Sequence, residues 1–228
     1  MITNNISEII GYSFKNIQLL NEALTHPSVS SSKDNINFNY ERLEFLGDAV
    51  LNLVISEMLF NIFPKDTEGN LAKKKTALVC GTKLVEVAQF INLGTFIIMS
   101  DGERTCGGAN NSSNLENALE ALIGAIYLDG GLKAAKNFIF LFWKNSAKHM
   151  KVPPQDAKTI LQEWAQAQGL LAPSYHIVNK SGPDHNPTFT VEVRMNSHET
   201  LQATGNNKKI AEQKAASLML AKINHKTK

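Results

Sequence analysis

The chain has 228 residues, 43% of them apolar, and 23 Lys and Arg against 21 Asp and Glu, for a formal net charge of +2. That suits one large or two small globular domains with ample core. No apolar run approaches the ~18 residues of a membrane span, no basic-then-apolar N-terminus marks a secretory signal, and Cys80 and Cys106 lack metal-ligand spacing, so they read as reduced thiols of a cytoplasmic protein. Charge is uneven: residues 1–152 carry a net −1 and residues 153–228 a net +3. The excess in the second part points towards a polyanion without deciding for one.

In chain order, residues 5–24 show helical apolar spacing (Ile6, Ile9, Ile10, then Ile17, Leu19, Leu20, Ala23, Leu24), interrupted at Gly11 and stopped by Pro27. Residues 28–39 are rich in Ser and Asn and read as a loop. A helix from Tyr40 ends near Phe63-Pro64, and Pro64–Asn70 is a polar turn holding Asp66 and Glu68. Leu71–Phe90 has one long helical pattern, with Lys73, Lys74 and Lys75 at its start; these could touch phosphate or simply face solvent. Leu93–Gly108, with four glycines, reads as a turn-rich connector. Helices are expected at Leu115–Tyr127 and Leu132–Met150.

Lys151-Val152-Pro153-Pro154-Gln155 reads as a linker, because consecutive prolines block helix continuation. Beyond it the pattern changes. A helix at 157–168 is followed by strand-like runs at Tyr175–Asn179, Thr188–Met195 and Glu199–Thr204, then a helix from Asn207 to Ile223. Phe189, Val191 and Val193 alternate with polar residues, the period of a half-buried strand. The expected architecture is an all-α domain over 1–150, a linker at 151–155 and an α+β domain of order α-β-β-β-α over 156–226.

The stretch Tyr40–Leu53, Tyr-Glu-Arg-Leu-Glu-Phe-Leu-Gly-Asp-Ala-Val-Leu-Asn-Leu, carries the densest chemistry. Glu41, Glu44 and Asp48 lie at i, i+3 and i+7, within roughly 60° on a helix of 3.6 residues per turn. Leu43, Leu46, Val50, Leu53 and Val54 take the other side, so the helix is expected to be largely buried. Three like charges beside a core are costly unless a cation neutralises them, and oxygen-only ligands suit Mg2+ or Mn2+. Arg42 is the only base nearby in sequence. Further on, Asn117 and Glu120 share a helix face at i, i+3. The small residues Ala118, Ala121, Gly124 and Ala125 on the same helix allow close approach to a neighbour.

Glu41–Leu51 resembles the signature segment of ribonuclease III, the double-stranded-RNA endonuclease. The likeness extends from Tyr12-Ser13-Phe14 to Ile223, and it implies that the signature helix faces the Glu-Ala-Leu-Ile-Gly helix. On the family pattern the metal ligands would be Glu44, Asp48, Asn117 and Glu120, with Asp48 and Glu120 positioning and activating the attacking water. Glu41 and Glu68 would be further acids of the cleft, nearer the substrate. The implied activity is Mg2+-dependent cleavage of duplex RNA to 5′-phosphate and 3′-hydroxyl ends, with Mn2+ as a substitute metal. It implies a homodimer formed through the endonuclease domain, no membrane association, and roles in processing ribosomal-precursor and other RNAs. Asn117 departs from the Asp common in the family and drops one negative charge. His26 reads as a structural histidine rather than a base. The alternative is a non-catalytic double-stranded-RNA-binding protein with a decayed nuclease half, against which the retention of Glu41, Glu44, Asp48, Glu68 and Glu120 argues.

The second part resembles the double-stranded RNA-binding domain. Thr159, Gln162, Glu163 and Gln166 form a polar stripe that is mostly amide and hydroxyl, suited to 2′-hydroxyls of a minor groove. His185, in the Gly182-Pro183-Asp184-His185 turn, would reach the next minor groove. Lys208 and Lys209 would meet phosphates across the major groove, at a helix start where cations oppose the helix dipole.

Overall fold

The computed structural model describes residues 2–29, 38–150, 157–183, 187–195 and 199–226. The expected linker at 151–155 and His185 lie outside these residues. The chain divides into two compact units, Met1–Pro154 and Gln155–Lys228.

The first unit is helical: α1 (Ile2–Ile10), α2 (Ile17–Ala23), α3 (Glu41–Ile62), α4 (Glu68–Leu78), α5 (Gly81–Phe90), α6 (Asp101–Thr105) and α7 (Ser112–His149). Its core is the seam between α3 and α7. Leu51, Val54 and Ile55 from α3 and Leu119, Leu122, Ile123 and Ile126 from α7 are all fully buried. Asn111 starts α7, its side chain accepting from the backbone of Ser113 and Asn114, which satisfies donors left over at a helix start. Asp129, in the middle of α7, ties down the segment before α2. It accepts from the Tyr12 hydroxyl at 2.7 Å and from the backbone of Lys15 and Asn16, each at 2.8 Å.

Several expectations need correction. The 71–90 pattern is two helices, because Trp143 donates its indole N–H to the Leu78 carbonyl at 2.7 Å and Cys80 turns to extended backbone. The two helices expected over 115–150 are one, α7, bent at Gly131, whose φ of 74° favours glycine. The 93–108 connector contains α6 and two single turns of 3-10 helix, Leu93–Thr95 and Gly108–Asn110. Leu53 is not on the core side of α3 but 56% exposed, in a stripe with Phe45 (81%) and Phe60 (70%). By length and composition α3 passes as a membrane span, with a mean hydropathy of 1.5 over 18 residues. Its packing against α7 makes it the core helix of this unit.

The second unit has α8 (Ala157–Ala167), β1 (Ser174–Ser181), β2 (Thr188–Arg194), β3 (Leu201–Gly205) and α9 (Lys208–Lys226), in the expected α-β-β-β-α order. The sheet is antiparallel, β1-β2-β3, with Tyr175 opposite Val193 and Val191 opposite Ala203. Leu161 and Ala165 of α8, Val193 of β2, and Ala215, Ala216 and Met219 of α9 form its core. The alanines let α9 lie close on the sheet, and the outer face of α8 is exposed.

Candidate active site

The site grows from the crossing of α3 and α7. A Cβ added at Gly47 would lie 1.7 Å from the Glu120 carbonyl oxygen, and one at Gly124 would lie 2.3 Å from the Leu43 carbonyl oxygen. Backbone therefore meets backbone, and only glycine fits at either position. Glu44 and Asp48 flank Gly47 on α3; Asn117 and Glu120 stand one to two turns before Gly124 on α7. The contact brings the sequence-predicted acids of the two helices into one electrostatic group.

Their titration records that proximity. Burial, with the charges of Asp48, Glu116 and Glu44, pushes the Glu120 carboxyl up to about 8. Burial and then Glu41, Glu116 and Asp48 push Glu44 above the usual carboxylate range. Asp48 accepts from the Asn52 amide at 2.7 Å. Among the described residues no ion pair joins Glu44, Asp48, Glu116 or Glu120 to a base, and no three Asp, Glu, His or Cys side chains are gathered as a ready metal cluster. The donor set is oxygen-only and short of positive charge, and raised carboxyls of this kind are what a hard divalent cation relieves, so the residues fit Mg2+ chemistry.

The site also takes in Tyr40 and Glu116, which the sequence did not single out. Tyr40 is 2% exposed, its hydroxyl is pushed up to about 12 by burial, and a hydrogen bond from Asn117 pulls the other way. Behind Tyr40 sits His26, ring edge to face at 5.6 Å. His26 Nδ1 accepts from the Ser28 backbone at 2.9 Å, and Nε2 then donates to Asn114 Oδ1 at 3.1 Å. It is the structural histidine expected. Glu116 lies four residues before Glu120, a helical spacing that was a usable signal, and its carboxylate packs against Gly81 at the start of α5.

Glu41 starts α3, accepts from the Asn39 amide at 3.1 Å and is the first of the charges that raise Glu44; Arg42 acts on Glu22 instead of on the acids. Other residues fall apart from this group. Glu68 starts α4 and lines a cleft of about 480 Å3 with Asp66, Phe60 and Lys75, and it is not among the charges that raise Glu44 or Glu120. The lysine triplet is not one face: Lys73 is exposed, but Lys74 is fully buried and paired with Asp66 at 2.7 Å, so it cannot meet phosphate.

In the second unit Thr159, Gln162, Glu163 and Gln166 are all exposed on α8, and Lys208 and Lys209 are exposed at the start of α9. Asn207 caps α9 by accepting from Ile210 N at 2.9 Å. Glu212 is held by Lys158 at 2.6 Å, which leaves Lys208, 3.8 Å from it, only loosely engaged.

Comparison with known proteins follows the same division. Residues 16–145 match the Ribonuclease-III-like family and residues 157–223 the double-stranded RNA binding motif. The chain is 88% identical to Ribonuclease 3 of Ehrlichia ruminantium (strain Welgevonden) over 228 residues, all of both chains. It is 77% identical to Ribonuclease 3 of Ehrlichia chaffeensis, covering 98% of this chain and 99% of that one. A solved nuclease domain of ribonuclease III from Campylobacter jejuni, described as having a region involved in dimer formation, superposes with a TM-score of 0.58. It is 46% identical and covers 62% of this chain and 96% of that one.

Proposed function

Since this chain belongs to the ribonuclease III family and is a double-stranded-RNA endoribonuclease, we propose that it cuts duplex RNA at the α3–α7 acids, with Mg2+ bound by Glu44, Asp48, Asn117 and Glu120. The observation that carries this reading is the Gly47–Gly124 crossing, which gathers oxygen donors of both helices with no base among them. When bound, the divalent cation supplies Lewis acidity towards the phosphate and a more acidic water. Asp48 and Glu120 would orient and activate the attacking water. In-line attack leaves a 5′-phosphate and a 3′-hydroxyl.

The second unit holds the duplex through the exposed α8 stripe and the α9 lysines, with His185 reaching a further minor groove. A homodimer through the endonuclease domain is supported by the exposed apolar stripe Phe45, Leu53 and Phe60 on α3. In that assembly Glu41 and Glu68 serve near the substrate. Free Cys80 and Cys106 suit a cytoplasmic enzyme; its expected role is ribosomal-precursor and other RNA processing, and Mn2+ is expected to substitute for Mg2+.

The test is a Mg2+ titration with duplex and single-stranded RNA of one sequence, followed by end-group analysis. Duplex-selective, Mg2+-dependent cleavage with 5′-phosphate ends is expected. Metal-independent cleavage, or 3′-phosphate ends, would overturn the reading.

A further inference from the structure

The turn between α3 and α4 contains a buried charge pair that the proposed chemistry does not use. Lys74 is 0% exposed. Its ammonium lies 2.7 Å from Asp66 Oδ2 and 3.2 Å from the centroid of the Phe63 ring. An ammonium loses much hydration on burial, and an ion pair of this kind rarely outperforms an apolar pair of similar volume for stability. What it does provide is a fixed geometry between the three residues it joins.

Those residues flank Glu68 along the chain. Phe63 ends α3, Asp66 stands two residues before Glu68, and Lys74 lies on α4 six residues after it. The backbone N–H of Asp66 donates to the Phe63 carbonyl at 3.1 Å, closing the turn. Thr67 caps α4, its side chain accepting from Asn70 N. The chain on both sides of Glu68 is thus pinned, while Glu68 itself lines the open cleft. We propose that the Lys74–Asp66 pair is a positioning device for Glu68, holding that carboxylate at a fixed place on the cleft wall during RNA cleavage. This rests on the reading of Glu68 as a cleft acid. Lys74 itself is buried and touches no substrate; it acts through the turn.

The test is a double-mutant cycle in the full chain, reading kcat and KM on duplex RNA, duplex binding and thermal stability. Lys74→Met keeps length and apolar contact with Phe63 and removes the pair. Asp66→Asn, at a side chain that is 23% exposed, removes it with the least disturbance and serves if Lys74→Met does not fold. Each is expected to lower kcat between about 10- and 100-fold, the cost of misplacing an active-site group by an ångström or less, with KM and duplex binding unchanged. In a Glu68→Gln background each should change kcat by less than about 2-fold, because the group they position is already gone. Lys74→Arg, which keeps the charge, should recover most of the rate. A full loss that persists in the Glu68→Gln background, or a parental kcat in folded Asp66→Asn, overturns the positioning role. A parental kcat in Glu68→Gln alone instead removes Glu68 from the cleft chemistry, and the proposal with it.

Discussion

Replacing Gly47 by Ala perturbs the helix crossing with one methyl group. The added Cβ would sit 1.7 Å from the Glu120 carbonyl oxygen and 2.6 Å from its carbonyl carbon, against backbone that cannot rotate away. Ordinary contact begins near 3.4 Å, so α3 and α7 must separate by more than an ångström at the seam that holds the core. Overpacking of this kind costs about 1–3 kcal/mol, and backbone opposition puts Gly47→Ala at the upper end. Separation by about 1 Å also moves Glu44 and Asp48 away from Asn117 and Glu120, a displacement that can cost about 10²-fold in rate. The assay pairs thermal unfolding by circular dichroism with single-turnover duplex cleavage. Gly69→Ala is the control, since nothing lies within 4 Å of its added Cβ and a helical Gly-to-Ala change stabilises by about 0.5–1 kcal/mol. If Gly47→Ala melts and cuts like the parent, the close crossing is not what assembles the site.

Further outcomes follow from the same geometry. The Glu120 carboxyl, pushed up to about 8, binds a proton in the folded chain that the unfolded chain releases near its ordinary value. Its contribution to stability is therefore full below about pH 4.5 and lost as pH rises to about 8, and it is absent from Glu120→Gln. Without metal the parent should lose melting temperature relative to Glu120→Gln over that window, and Mg2+ should raise the parent's melting temperature more at pH 8 than at pH 6; equal Mg2+ shifts at both would refute it. Asn117→Asp should lower the Mg2+ concentration for half-maximal cleavage with the saturated rate changed much less, because a carboxylate binds a hard cation more tightly than an amide oxygen. An upward shift would mean that Asn117 only orients its neighbours. Lys208→Ala with Lys209→Ala should weaken duplex binding and flatten its log–log salt slope by up to about 1.8, at 0.7–0.9 per phosphate contact; an unchanged slope removes both from the phosphates.

Periodicity exposed most of the second unit, because Val191 and Val193 alternate with polar residues and Pro153-Pro154 marks a break. It exposed α3 and its acids for the same reason, since Glu44 and Asp48 occupy one helix face. What stayed hidden depends on contacts far apart in sequence. Nothing near Leu78 announces that Trp143, 65 residues away, takes its carbonyl and ends α4. Leu53 looks like core by hydropathy, yet it lies with Phe45 and Phe60 on the outer stripe. Lys74 sits among three lysines and reads as surface, until Asp66 and Phe63 close around it. Tyr40 entered the site through its burial beside Asn117, and Glu116, one turn before Glu120, through its charge beside Glu44 and Glu120.

The central claim is that the α3–α7 acids cut the RNA that the second unit holds. Glu120→Gln tests it most directly, because it keeps the shape of the side chain and removes its charge. Duplex RNA binding should stay within a few-fold of the parent while single-turnover cleavage in saturating Mg2+ falls by at least ~10²-fold, comparable to losing a catalytic electrostatic group. Cleavage at the parental rate would contradict the account.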